Sequence, residues 1–199
     1  MILAKKEFLV LVFANLILQL CITYIIMDKT KDAKKKYNFW LLFGISIVIL
    51  IVLGLIPMHP ILKFAFFSGF SYIFGIILSF VKEKHNEEEI QTAIESALSI
   101  FAAMFITALG LLAGGVKLGY KFGMFLFFAL LALILARIFT SSKRNKFLSM
   151  IGVVLFSLYI LYDTHVILQK DYSGDFISAS MAYYLDIVNI FRNLLRSEE

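Results

Sequence analysis

The chain has 199 residues, 61% of them hydrophobic and only 17% charged, with a mean hydropathy of +0.89. A soluble domain is about half apolar and about a quarter charged, so an ordinary soluble protein is excluded and the lipid bilayer is the solvent. The net charge of +5 would suit nucleic acid in a soluble protein. Here the Lys and Arg residues lie in connecting loops, as membrane proteins place them, and no nucleic-acid partner is expected.

A span needs about 20 mostly apolar residues. Residues 1–199 therefore hold about seven spans in one all-α transmembrane domain, with no room for a soluble domain. The first span is Phe8–Met27, with Asn15 and Gln19 four apart on one face and Cys21, the single cysteine, inside it. One cysteine rules out an intrachain disulfide and a cysteine zinc cluster. The apolar run is too long for a signal h-region of about 7–15 residues and reads as an uncleaved span. Asp28–Lys36 reads as a solvated loop, and Phe39–Ile56 as the second span, entered through Tyr37 and Trp40 at the interface. Pro57-Met58-His59-Pro60 holds both prolines and disfavours helix, so the chain reverses there.

The third span runs over Ile61–Val81, with Ser68, Gly69, Ser71 and Gly75 as small residues for close helix packing. Lys82–Glu89 is a charged loop whose three glutamates favour a helix start. The fourth span, Ile90–Leu112, carries Glu95 near one end, either an interfacial acid or one facing an ion pathway. Phe122–Phe139 is the fifth span, Arg137–Lys146 a basic loop, Phe147–Tyr162 the sixth span, and Phe176–Leu195 the seventh.

Two carboxylates stand out because each sits in an otherwise hydrophobic segment. Asp163 follows Leu158-Tyr159-Ile160-Leu161-Tyr162, where the sixth helix is expected to end, and Asp186 lies between Leu185 and Ile187. An acid in hydrocarbon costs a few kcal/mol or more and marks a functional site by default. Steps of three and four from Asp186 reach Ala179, Ala182, Asn189 and Asn193, one small and polar stripe that belongs against other helices. Asp186 is therefore expected to point into the centre of a bundle, with the C-terminal helix central. If the last two helices are neighbours, Asp163 and Asp186 face the same interior.

The segments LYDTHVILQK and SMAYYLDIVNIFRNLLR resemble the C-terminal signature of the Bax inhibitor family, the transmembrane Bax-inhibitor-motif proteins. Lys63–Leu78 is similar to that family's third span, and the apolar rhythm matches along nearly the whole chain. The resemblance implies a pH-sensitive calcium leak or ion exchange gated by a proton-sharing aspartate pair, and matches that pair to Asp163 and Asp186. For eukaryotic and viral members it also implies suppression of cell death through membrane-protein partners. The expected membrane is the plasma membrane in a bacterium and an ER or Golgi-type endomembrane in a eukaryote or virus. Some members carry a basic latch at the second-to-third connection; at that place this chain offers only His59 and Lys63.

The residues themselves support an ion-conducting bundle over an enzyme. His59, His85 and His165 fall in or beside the expected loops, and neither H-E-x-x-H nor G-x-S-x-G occurs. No catalytic residue and no cofactor are expected. Two carboxylates a few Å apart in low dielectric do not both ionise easily and share a proton, titrating as a pair. The same oxygens are hard ligands for calcium but fall short of its usual six to eight. Calcium is thus expected as a permeant ion held weakly by Asp163 and Asp186, with Glu95, Asn189 and Asn193 along the path.

Alternating seven spans puts six of the 19 Lys and Arg residues on the N-terminal side and thirteen on the other. The positive-inside rule then places the N-terminus outside and the C-terminus inside, whereas the family resemblance implies a cytoplasmic N-terminus. The two orientations separate at Lys35. Following the charge count, Lys35→Cys in a Cys21→Ser background is protected from an impermeant maleimide added outside. Ready labelling from outside restores the family orientation.

Overall fold

Apolar segments that cross hydrocarbon must satisfy their own backbone, which a helix does and a single strand does not. The computed structural model describes residues 5–139, 145–169 and 174–198, and all regular structure there is helical. In chain order the helices are α1 (Lys6–Lys29), α2 (Ala33–Lys36), α3 (Phe39–Leu55), α4 (Pro60–Lys82), α5 (Glu87–Ala113), α6 (Tyr120–Phe139), α7 (Asn145–Gln169) and α8 (Phe176–Glu198). Lys143, Arg144, Lys170 and Ser173, which the sequence reading assigns to connections, lie outside the described residues.

By length and composition α1, α4, α5, α6 and α7 are long and apolar enough to cross a membrane. α3 is apolar but has 17 residues, about 26 Å of helix against a hydrocarbon core of about 30 Å. α8 is long enough, at 23 residues, but its polar side chains separate it from the five. The protein is thus a polytopic integral membrane protein.

Three boundaries differ from the sequence reading. α7 does not stop at Tyr162 but continues to Gln169, so Asp163 and His165 are inside a helix; His165 is fully buried. Nothing from Asp163 to Gln169 breaks a helix: there is no glycine or proline, and Thr164 bonds back to the Ile160 carbonyl at 2.7 Å. Arg137 belongs to α6 and not to a loop. The segment after α1 is not wholly solvated either. Ala33 is buried, and its N–H donates to Glu83 Oε1 at 2.5 Å, while Lys82 Nζ bridges to Asp28 at 2.5 Å.

The helices gather into two compact units. The first contains residues 1–86 and 172–184, hence α1 to α4 and the start of α8. α4 is its core element, packing on α1 and α3 and burying Phe67, Phe70, Phe74, Ile76, Ile77 and Leu78. Tyr184 of α8 sits edge-on to Phe67 and Phe70, with centroids 5.3 and 5.9 Å away. Its hydroxyl is 2.5 Å from Thr23 Oγ1, and Thr23 Oγ1 in turn lies 3.1 Å from the Ser71 carbonyl. Asn15 Nδ2 donates to Ser180 Oγ at 2.6 Å, and Gln19 Nε2 to Ser68 Oγ at 3.1 Å. The polar face expected on the first span is therefore a helix-to-helix seam.

The second unit contains residues 87–171 and 185–199, hence α5 to α7 and the rest of α8. α5 and α6 pack on α7, with Leu126, Leu133 and Leu155 at the centre and Phe122, Leu158 and Tyr162 around them. α6 turns Phe125, Phe127, Phe128, Ile138 and Phe139 outward, a surface suited to lipid and not to water.

The start of α8 is fixed from both sides. Gly174 adopts φ +81°, a conformation glycine reaches without a Cβ penalty. It turns the chain into Asp175, whose Oδ1 accepts the Ser178 N–H at 3.0 Å as a helix cap. Asp175 Oδ2 receives Lys63 Nζ of α4 at 2.5 Å, and the same ammonium reaches Ser178 Oγ at 2.6 Å. Burial works against the charged carboxylate, but the bonds from Lys63 and Ser178 outweigh it and hold Asp175 below its ordinary value of 3.8. A depressed carboxylate adds stability above its unfolded value and loses it as pH falls through the folded one.

Two stability tests follow from the first unit. A Cβ on Gly75 would stand 2.7 Å from the Thr23 carbonyl oxygen and 2.9 Å from Ile26 Cβ, whereas one on Gly69 meets nothing within 4 Å. Gly75→Ala is expected to cost about 1–3 kcal/mol by overpacking, and Gly69→Ala to be neutral or to gain up to about 1 kcal/mol of helix propensity; thermal melting in detergent compares them. Asp175→Ala is expected to cost about 1 kcal/mol, chiefly the cap, since the partly exposed ion pair adds little. The difference from the parent should shrink in acid below the ordinary carboxylate range, as measured by melting across pH.

Candidate functional site

α8 is amphipathic in sequence yet covered all round in the structure: no residue from Phe176 to Ser197 is exposed. The polar stripe and the apolar bulk alike meet protein, so Ile187, Val188, Ile190 and Phe191 are buried together with Asp186 and Asn193. A helix in that position can carry a carboxyl at depth because no lipid reaches it.

Within the second unit α7 and α8 bring the two predicted acids together. The carboxyls of Asp163 and Asp186 lie close enough to interact, and a hydrogen bond joins them when one carries a proton. Asp186 is 4% exposed and Asp163 partly buried. Asp186 Oδ2 is buried without a hydrogen-bond partner. Tyr159, one turn before Asp163, lies within electrostatic reach of both acids. His165 Nδ1 bonds to the Leu161 carbonyl at 2.8 Å and its buried Nε2 has no partner. With Nδ1 protonated in that bond, Nε2 presents a lone pair.

The remaining candidates are placed elsewhere or act as struts. Asn189 Nδ2 bonds back to the Leu185 carbonyl at 2.7 Å. Asn193 Nδ2 bonds to the Asn189 carbonyl at 2.8 Å, and its Oδ1 accepts from Arg137 of α6. α7 accommodates Asn193 at Gly152, where a Cβ would stand 2.6 Å from Asn193 Oδ1. Glu95 is on an exposed face of α5 and accepts from Gln91 at 2.8 Å. His59 caps α4 through the Ile61 N–H at 3.3 Å, and Lys63 is held by Asp175. Neither proposed latch residue is left uncommitted.

Two carboxyls this close can share a proton. Among the described residues no group of three or more His, Cys, Asp or Glu side chains gathers as a metal site. Two carboxyls can hold a divalent cation only with carbonyls or water completing the shell. The sequence reading missed the Arg137–Asn193 contact. The one available signal was an arginine three residues from the end of an apolar run, which the loop assignment discounted.

Comparison with known proteins gives the family. An uncharacterised protein of Campylobacter jejuni is 28% identical over 167 residues, 81% of this chain and 72% of that protein. The Golgi anti-apoptotic protein of vaccinia virus strain Lister is 40% identical over 80 residues, 38% of this chain and 34% of its own. Bax inhibitor 1 of Saccharomyces cerevisiae is 41% identical over 56 residues, 28% of this chain and 19% of its own. The family model described as inhibitor of apoptosis-promoting Bax1 matches residues 5–197. With that match running from the start of α1 to the end of α8, this chain belongs to the Bax inhibitor family.

Proposed function

We propose that the protein is a pH-sensitive calcium leak, or a calcium–proton exchanger, gated by Asp163 and Asp186. The observation that carries this reading is the contact between the two carboxyls, one of them with a buried, unpartnered oxygen. Ionised carboxylates are acceptors only, so a bond between them requires a proton on one. Removing that proton leaves two negative charges side by side in low dielectric, and the repulsion favours separation of α7 from the C-terminal half of α8. A calcium ion offers the separated oxygens an alternative to the proton, which makes flux respond to pH. The shell would be incomplete, and incompleteness suits a permeating ion that must also leave.

Glu95 and Asn193 contribute little to such a path, one being exposed and the other engaged by Arg137. The path then rests on Asp163, Asp186 and nearby backbone. A second reading is favoured by the printed names of two relatives, Bax inhibitor 1 and Golgi anti-apoptotic protein. In it the protein restrains cell death through membrane-protein contacts without conducting.

Calcium entry into liposomes reconstituted with the protein, followed across pH, separates the two readings. Flux that changes with pH supports the leak; flux no greater than in empty liposomes at every pH removes it and leaves the regulatory reading. Asp186→Asn keeps the shape and removes the charge, and should abolish or displace the pH profile. Because a shared proton belongs to the pair, adding Asp163→Asn should change little further, with a coupling of about 1–3 kcal/mol in the double-mutant cycle. Strictly additive effects would falsify proton sharing.

A further inference from the structure

The second unit also contains a cluster of cations. Arg137 of α6 and Arg192 and Arg196 of α8 lie close enough for their like charges to be felt by one another. Arg192 and Arg196 are one helical turn apart on the same face of α8. Arg137 is brought against that turn by its bond to Asn193 Oδ1, and its other contact is the Leu148 carbonyl at 3.4 Å. Leu148 lies in the first turn of α7, which contains no acidic residue. The positive end of that helix therefore adds to the cationic field.

Among the described residues neither Arg137 nor Arg192 has a carboxylate partner. Arg192 Nε is in addition buried and makes no hydrogen bond. A guanidinium carries five N–H donors in a planar fork. Leaving a buried donor of such a group unpaired is costly. Acidic side chains are the usual remedy, and this end of α6, α7 and α8 does not supply one to Arg137 or Arg192. What fits is an anion with several oxygens, able to accept two parallel bonds from a guanidinium.

We propose that Arg137, Arg192 and Arg196 form a binding site for a phosphate group. The ends of membrane helices lie at headgroup depth, and basic pockets between such helices take lipid phosphates. A soluble phosphate presents the same oxygens to the same forks. The site uses α8 from Arg192 onward with Arg137 of α6, and none of the acids of the proposed gate, so it stands or falls independently of calcium conduction.

The test is thermal melting of the full chain in a neutral detergent. The probes are short-chain phosphatidic acid against short-chain phosphatidylcholine, and inorganic phosphate against chloride at matched ionic strength. Phosphatidic acid is expected to raise the midpoint by several degrees while phosphatidylcholine leaves it unmoved. An equal rise with inorganic phosphate assigns a soluble ligand; a rise with the lipid alone assigns the headgroup. Arg192→Gln should weaken the response about tenfold in probe concentration, as expected when one charge-assisted fork is lost. If that variant does not fold, Arg196→Gln takes its place with the same expectation. No shift with either probe overturns the site, as does a parental response in the variant that folds. So does an equal loss in Lys6→Gln, which removes one positive charge from α1 and would reveal non-specific attraction.

Discussion

A helix that carries Asp186, Asn189, Arg192 and Asn193 within eight residues cannot face hydrocarbon, and the rest of the molecule answers to that constraint. Every side of α8 is covered from Phe176 to Ser197. Its first half is received by α1 and α4 through Ser180, Tyr184 and Asp175. Its second half is received by α6 and α7 through Asn193 and Asp186. α6, whose middle has no polar side chain, exposes phenylalanines, while α8 exposes nothing from Phe176 to Ser197. The low hydropathy of α8 thus belongs to a helix that protein covers on every side.

Polar groups inside the protein fall into two kinds. Asn15 with Ser180, and Thr23 with Tyr184, are partnered. Each such bond contributes about 1 kcal/mol net and fixes the register of one helix on another. Asp186 Oδ2, His165 Nε2 and Arg192 Nε are buried without partners. A group left that way costs about 1–3 kcal/mol, more if charged. Gln19 Oε1 and Ser46 Oγ of the first unit are buried in the same way, so both units contain unused polar capacity.

Much of this was legible because membrane helices are written in long apolar runs. The spans of α1, α3, α4 and α6 begin and end within two residues of their expected positions, where lysines, prolines and the Asn38 cap interrupt hydrophobicity. For Asp163 and Asp186 the sequence marked two acids in apolar surroundings and left their proximity conditional on the last two helices being neighbours. The end of α7 was not legible. Asp163, Thr164 and His165 look like a helix exit when polarity is equated with water, but they are polar because they face protein. The same error put Arg137 in a loop. The contact of Lys63 with Asp175 was not legible for another reason: the two are 112 residues apart, and no local pattern announces a contact of that range.

The extension of α7 changes what the carboxyl pair can do. An acid at a helix terminus can be freed by fraying of the last turn, without consequence for the remainder. Asp163 has six further residues of helix after it, ending at Gln169, and its neighbour Tyr162 lies against α6 where Gly123 has no side chain. Separation of Asp163 from Asp186 therefore moves a packed helix and not a frayed end. On the α8 side, Asn193 is held by Arg137 and fits against Gly152 of α7, about 10 Å along the axis from Asp186 at 1.5 Å per residue. That fixed point favours a tilt of the two helices about the Asn193 contact over a sliding motion. A tilt of this kind would open the carboxyl level while leaving the arginine end closed. The proton-dependent contact and the guanidinium cluster would then be two ends of one lever, and only the first would be free to move.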